Sequence, residues 1–340
     1  MTADVALVLA IGMALAFAVT NGFHDAANAI ATLVGTRTAR PIPAVAMASV
    51  FNLLGPLFVG AAVANTVAHI VTVPPEEAVA VIGAGLTGAV IWNTITWRRG
   101  LPSSSGHALV GGLVGAALLD DGLHAVNWGP IQNGQLAGVF GVLIGLFLAS
   151  CLGFVVALAL ERFALRAMDR ATVRFQRPVR GAQWVASAWL AFSHGSNDAQ
   201  KAVGIIAALL VASGQASSLS TPIGVTLACS LALTLGTALG GWSIVRTIGR
   251  RIFPLRSLDG LVSQTASAGV ILAASIAGAP VSTTQVVATS IVGIGLGRRR
   301  WRHVGWGIVG EIGLAWLTTM PAAGIIAAIA LPVWKLVPGG

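Results

Sequence analysis

Runs of about twenty apolar residues follow one another along the whole chain, each closed by a short polar segment. That is the length an α-helix needs to cross a bilayer, and a helix satisfies its own peptide groups there. Ten runs can be drawn. In the first half they lie near 4–35, 43–70, 78–97, 102–119 and 132–160, and in the second near 184–213, 221–246, 259–277, 280–297 and 304–333. The chain is 56% hydrophobic and only 9% charged, whereas soluble domains carry about 25% charged residues. A soluble enzyme is thereby excluded, and the expected class is an all-α polytopic membrane protein. The net charge of +9 does not point to nucleic acid, because the arginines stand in clusters between apolar runs, where they set topology. The lipid bilayer is the expected surrounding. Cys151 and Cys229 lie within apolar runs and read as packing residues. No resident cofactor or metal is assigned.

The connecting segments alternate in charge. One side carries Arg37 and Arg40, then Arg98 and Arg99, then Arg162, Arg166, Arg170, Arg174, Arg177 and Arg180. Arg246, Arg250, Arg251 and Arg256, and the run Arg298, Arg299, Arg300 and Arg302, fall on that side too. The other side carries Glu76, Glu77, Asp120 and Asp121 and the uncharged stretch from Ser213 to Thr221. By the positive-inside rule the arginine side is cytoplasmic, so both termini are expected outside. The division is a first repeat over 1–160, a short basic cytoplasmic linker over 161–183 and a second repeat over 184–340. Five crossings per half is an odd number, so the second half enters the membrane upside down.

A polar string that occurs twice inside the apolar runs supports the same arrangement. "NGFHDAANAIAT" starts at Asn21 and "HGSNDAQKAVGII" at His194. Aligning Asp25 with Asp198 also aligns Gly22 with Gly195 and Asn28 with Lys201. Ionisable groups inside a membrane are costly, so each aspartate marks a candidate functional site. Inverted repeats with a shared site at their interface are a common transporter design. A second pair repeats as well: "LPSSSGHALVGGLVG" from Leu101 and "APVSTTQVVATSIVGIG" from Ala279. Pro102 aligns with Pro280, Ser103–Ser105 with Ser282–Thr284 and His107 with Gln285. Proline breaks a helix, and hydroxyl residues behind it open a new one. The free N–H groups of such a terminus favour an anion, and the hydroxyls of Ser103, Ser104, Ser105, Ser282, Thr283 and Thr284 add donors. Broken or re-entrant helices at the centre are therefore expected.

Aspartates beside an anion make sense only if a cation or proton binds with them. Asp25 and Asp198, with Asn21, Asn28 and Asn197, offer hard oxygen ligands for a coupling ion, and the carboxyls can also carry protons. Lys201 is the only lysine within a drawn crossing. Its ammonium can replace a mobile cation, pair with an aspartate or contact the anion, and Gln200 beside it is an anion-site candidate. His24, His107 and His194 are candidates for a proton relay.

At these residues the chain resembles the inorganic phosphate transporter (PiT) family, over nearly its whole length. The family's paired signature is matched by "GFHDAANA" and "GSNDAQKA", the second in a form similar to the bacterial branch. The family's Pro-Ser-Thr-Thr-His pattern is matched by Pro102 to His107 and by Pro280 to Gln285, with Gly106 interrupting the first copy and Gln285 replacing histidine in the second. The resemblance implies import of phosphate, as the free ion or as a metal–phosphate complex, by a bacterial inner-membrane symporter. Protons are preferred to sodium as coupling ion. It implies that Asp25, Asn28, Asp198, Gln200, Ser103–Ser105 and Ser282–Thr284 line the site. A homodimer is among the expected assemblies. The alternatives are a sulfate or other oxyanion symporter, a divalent-metal carrier and an anion channel. An intramembrane hydrolase built on Ser103–Ser105 and His107 leaves the repeated aspartate motifs unexplained.

Overall fold

The computed structural model describes residues 3–129, 131–132, 135–168 and 175–339. The first half contributes α1 (Ala3–Gly35), α2 (Pro41–Phe58), α3 (Ala62–Ala68), α4 (Pro75–Arg99), α5 (Ser105–Asp121) and α6 (Gly138–Ala167). The second contributes α7 (Gln176–Ala212), α8 (Ile223–Leu239), α9 (Trp242–Arg246), α10 (Ser257–Ile276), α11 (Thr283–Gly297) and α12 (Trp306–Lys335). Each drawn run is helical. Two of them, 43–70 and 221–246, break at matching points. The chain turns at Gly60 (φ +80°) between α2 and α3, and at Gly240 (φ +72°) between α8 and α9. A left-handed residue ends a helix, and glycine adopts it without a Cβ penalty. The second break bends the axis by 63°.

Among the described residues, six helices are long and apolar enough to cross a membrane unaided, and the bent α8–α9 pair makes a seventh. The shortfall from ten falls on α7, α10 and α11. α7 carries Arg177, Arg180, Asp198 and Lys201, α10 carries Ser257, Asp259, Ser263, Gln264, Ser267 and Ser275, and α11 has only 15 residues. Protein, rather than lipid, covers their polar faces. Two expected boundaries also move. Residues 126–127 are extended and bonded to 70–72, so the fifth run starts at Gly138 rather than 132. The expected linker 161–183 is mostly helix: α6 continues to Ala167 and α7 begins at Gln176. Its two ends are buried because Glu161 pairs with Arg298 while Gln183 accepts hydrogen bonds from Thr36 and Thr38. Arg170 and Arg174 lie outside the described residues.

Helix packing is unchanged in pattern when the two halves are exchanged. α1 packs on α8 as α7 packs on α2; α4 packs on α1 as α10 packs on α7; α5 packs on α12 as α11 packs on α6. The first of these crossings depends on the glycines of the polar strings. A Cβ on Gly22 would stand 2.9 Å from the Gly236 Cα, and one on Gly195 would stand 2.7 Å from the Asn52 Cα. Both obstacles are backbone, so no rotamer relieves them. Small residues are what allow helices to approach this closely.

Two helical hairpins, α4–α5 and α10–α11, enter from opposite ends of α1. The base of the second lies at the C-terminal end of α1, where Thr38 and Ser257 share a hydrogen bond of 3.3 Å. The first hairpin's base lies beside the C-terminal end of α12. That end flanks the start of α1, where Val8 and Leu9 share a cavity wall with Trp334. Each base carries two acids and one base. At the first, Lys335 pairs with Asp120, and Glu77 stands beside them. At the second, Arg298 Nε lies 2.7 Å from Asp259 and 3.0 Å from Glu161, both fully buried. Asp259 also accepts the Arg256 N–H at 2.7 Å, at the start of α10. Removing one partner from a buried ion cluster leaves uncompensated charge, at a cost of about 3–5 kcal/mol. Arg298→Ala is therefore expected to destabilise the purified protein by that order, while Arg300→Ala at the exposed neighbouring turn changes stability by less than about 0.5 kcal/mol. Thermal denaturation in detergent compares the two.

Candidate functional site

Each hairpin tip is a helix start. Ser104 caps α5 by accepting the His107 N–H at 3.2 Å, and Ser282 caps α11 by accepting the Gln285 N–H at 3.3 Å. This fixes the repeat register and corrects the sequence alignment by one residue. Ser104 corresponds to Ser282, Ser105 to Thr283 and Gly106 to Thr284, whereas Ser103 corresponds to Val281. The prolines hold the approach extended, and the first helical turn then aims Ser105 and Thr284 at the same group.

That group is the carboxylate of Asp25. Its Oδ2 accepts from the Ser105 hydroxyl at 2.6 Å and its Oδ1 from the Thr284 hydroxyl at 2.7 Å. One carboxylate thus joins the two hairpin tips. Asn28, one helical turn on, donates to Thr283 at 3.0 Å and to Thr284 at 2.9 Å. Its Oδ1 is buried and has no partner among the described residues. Asn21 lies between the aspartates. With its amide nitrogen turned toward them, the only orientation that avoids facing acceptors with an oxygen, it donates to Asp25 at 2.7 Å and to Asp198 at 3.2 Å.

The second half of the site is built differently. Lys201 Nζ donates to Asp198 Oδ1 at 2.6 Å and to the Val281 carbonyl at 2.9 Å. The lysine is 1% exposed. His194 Nε2 lies 3.1 Å from Asp198 Oδ2, and its other nitrogen meets Asn52 at 3.0 Å. Carboxylate oxygens of Asp25 and Asp198 and a nitrogen of His194 all lie within 4.8 Å of one another, a spacing that can hold a cation.

Several expected site residues hold the hairpin tips instead of facing the centre. His24 touches Asp25 at 3.0 Å, and its far nitrogen meets Ser103 at 3.0 Å and Thr96 at 3.2 Å. Asn197, its equivalent, donates to Ser275 and to the Ala279 carbonyl and accepts the Val281 N–H. The residue before each aspartate therefore pins the opposing connection of its own repeat, α4 to α5 or α10 to α11. Ser103 belongs to the first pin. Gln200 turns away from the tips, and its carbonyl accepts the N–H groups of Val63 and Ala64 at the start of α3. Thr96, Asn52, Ser275 and Thr237, whose hydroxyl accepts the Asn52 amide at 3.0 Å, were not singled out in the sequence. Asn52 carried a signal, an amide within an apolar run; the hydroxyls carried none, because Ser and Thr are common in membrane helices.

His107 lies on the far side of the first tip. It lines a cavity of about 690 Å³ between α6, α11 and α12, together with Gln285, Ser150 and Trp316. The Ser150 hydroxyl donates to Gln285 at 3.2 Å, and His107 Nδ1 is buried without a partner among the described residues. Among the described contacts the His107 ring makes no hydrogen bond to Ser103, Ser104 or Ser105; the histidine that meets Ser103 is His24.

The site therefore combines two helix starts, a hydroxyl set, two buried carboxylates and one buried ammonium. The family model described as the phosphate transporter family matches residues 21–327. A Rhizobium meliloti (strain 1021) protein described as a probable low-affinity inorganic phosphate transporter is 42% identical over 324 residues, 95% of this chain and 95% of that protein. A Bacillus subtilis (strain 168) protein of the same description is 36% identical over 98% of this chain and 99% of its own. A solved structure described as the sodium-dependent phosphate transporter superposes with a TM-score of 0.86 at 22% identity, covering 98% of this chain and 100% of that one. These relatives are transporters, which sets the hydrolase reading aside. The match over most of the length, the high identity to full-length relatives and the shared fold together establish that this chain belongs to the phosphate transporter family.

Proposed function

We propose that this protein imports inorganic phosphate by symport, with protons as coupling ion and Asp25 as the group that couples the two. The reading is carried by one observation: the Ser105 and Thr284 hydroxyls, which belong to the two helix starts suited to an anion, are both spent on Asp25. A charged Asp25 competes with phosphate for these donors and repels it. Neutralising the carboxylate weakens both bonds, because hydrogen bonds to a charged acceptor are about twice as strong as those to a neutral one. The hydroxyls and the adjoining backbone N–H groups then turn to the anion. Phosphate therefore binds only to the cation-loaded site.

In this reading Ser105, Thr283 and Thr284 contact phosphate, and Lys201 adds a positive charge. Ser104 and Ser282 shape the two helix starts. Asn21 and Asn28 surround Asp25. The arginine-rich end is cytoplasmic and both termini are external, by the positive-inside rule. His24, joined to Asp25, is the nearest group through which a proton can reach it. Sodium is the second reading. It is favoured by the oxygen-rich surroundings of Asp25 and by the description of the structural neighbour as sodium-dependent.

The deciding measurement is labelled phosphate uptake into proteoliposomes with a proton gradient and a sodium gradient imposed separately. Accumulation driven by the proton gradient alone is the expected result. Accumulation driven only by sodium would replace the coupling ion and keep the substrate. Competition by sulfate, or a requirement for magnesium, would change the cargo to sulfate or a metal–phosphate complex. Asp25→Asn keeps the shape and removes the charge, so it is expected to bind phosphate without the gradient but to lose uphill accumulation at least about tenfold, the factor set by about 1.4 kcal/mol. Asp198→Asn is expected to lose accumulation and binding together, because it strands the buried Lys201 ammonium.

A further inference from the structure

Comparison of the two halves in the corrected register exposes a paired difference. Where the second hairpin offers Thr284 to Asp25 and Asn28, the first offers Gly106, which has no side chain. Where the first repeat carries Asn28, the second carries Lys201. The two differences meet in space: a Cβ built on Gly106 would lie 3.4 Å from Lys201 Nζ and 3.8 Å from its Cε. The lysine ammonium gives Asp198 the donor that the Thr284 hydroxyl gives Asp25, at 2.6 Å against 2.7 Å.

We infer that Lys201 is a tethered cation for which Gly106 leaves room, and that the second half of the site consequently loads no mobile ion. This inference rests on the symport reading given above and specifies it. Three observations support it. The lysine is buried, so its charge is balanced internally rather than by water. Two of its three donors are held by Asp198 and Val281, which fixes the ammonium in the pocket the carboxylate faces. The other half has no ammonium at the matching position: beside the Asp25 carboxylate stand the Ser105, Thr283 and Thr284 hydroxyls and a buried amide oxygen on Asn28 without a partner among the described residues. A cation with its hard oxygen ligands fits that half and not the one occupied by the ammonium. Gly106 is thus a specificity residue for the number of coupling ions.

The test is a cycle of Gly106→Thr and Lys201→Asn, alone and together, which rebuilds in the second half the set present in the first. Bound sodium is counted directly with radioactive sodium on purified protein, and phosphate uptake is followed in proteoliposomes. Lys201→Asn alone is expected to lower uptake at least about tenfold. Gly106→Thr is expected to lower uptake when Lys201 is present, because its γ atoms crowd the ammonium, and to raise it when residue 201 is Asn. The double variant is expected to bind one sodium ion more than the unaltered protein and to require sodium for uptake. An equal sodium count in the two folded proteins, or the same sign of the Gly106→Thr effect on both backgrounds, would overturn the inference. Should the double variant fail to fold, the order of unaltered uptake in the coupling cation decides: first order is expected, and second order overturns it. Absence of any phosphate uptake by the unaltered protein would sink the phosphate reading, while the sodium count would still judge the tethered cation.

Discussion

The Asp25 carboxylate is the point on which the architecture closes. It accepts one hydroxyl from each hairpin tip, and those hairpins enter from opposite ends of α1. Each tip is thus held through a charge that belongs to neither. A buried charge is tolerated only when its hydrogen-bonding capacity is filled. Here Ser105, Thr284, Asn21 and His24 fill it. A change in the charge of Asp25 therefore acts on both hairpins at once. That gives a local ionisation a route to a movement of whole helices, through bonds whose strength depends on that charge.

The two-fold relation between the halves is strict in packing and loose in chemistry. The glycines Gly22 and Gly195 make equivalent backbone crossings, and Ser104 and Ser282 make equivalent caps. These positions fix geometry, and geometry must be shared if one half is to fit the other. The two aspartates are shared, but the polar groups beside them are not. His24 faces Asn197 in the alignment, Asn28 faces Lys201, and Gly106 faces Thr284. His24 and Asn197 nevertheless do the same structural work, each pinning the connection of its own hairpin with side-chain hydrogen bonds. Either residue type can make a pin, but only the imidazole has a ring nitrogen that can take up a proton. The ion clusters at the hairpin bases follow the same rule. Each holds two acids and one base on equivalent helices, but the base stands on α12 in one half and at the end of α11 in the other.

Much of this was legible in the sequence because its causes are periodic or local. Apolar runs report crossings, and a repeated polar string reports a repeated site. Asp25, Asp198 and the two hydroxyl clusters stood out for one reason: a polar group in an apolar run has to be explained. The parts that were not legible depend on distances between segments far apart in the chain. The sequence alignment of the serine clusters slipped by one residue, since runs of similar hydroxyls fit either register. Only the capping bonds of Ser104 and Ser282 decide it. Gln200 looked like an anion ligand beside Lys201, but successive helix residues point about 100° apart, and its carbonyl is committed to α3. Glu161 read as the start of a solvated linker because its partner, Arg298, lies in another repeat.

By itself, then, the sequence determined the membrane-spanning helical class, the five-plus-five organisation and the identity of the two aspartate motifs. Burial in lipid imposes those patterns on every residue of a crossing, whatever its neighbours. Tertiary structure alone decided which donors the aspartates use, which residues merely hold the tips, and that the ammonium of Lys201 lies beside Gly106. Those outcomes turn on separations of a few tenths of an ångström between side chains drawn from opposite halves, and no spacing along the chain encodes them.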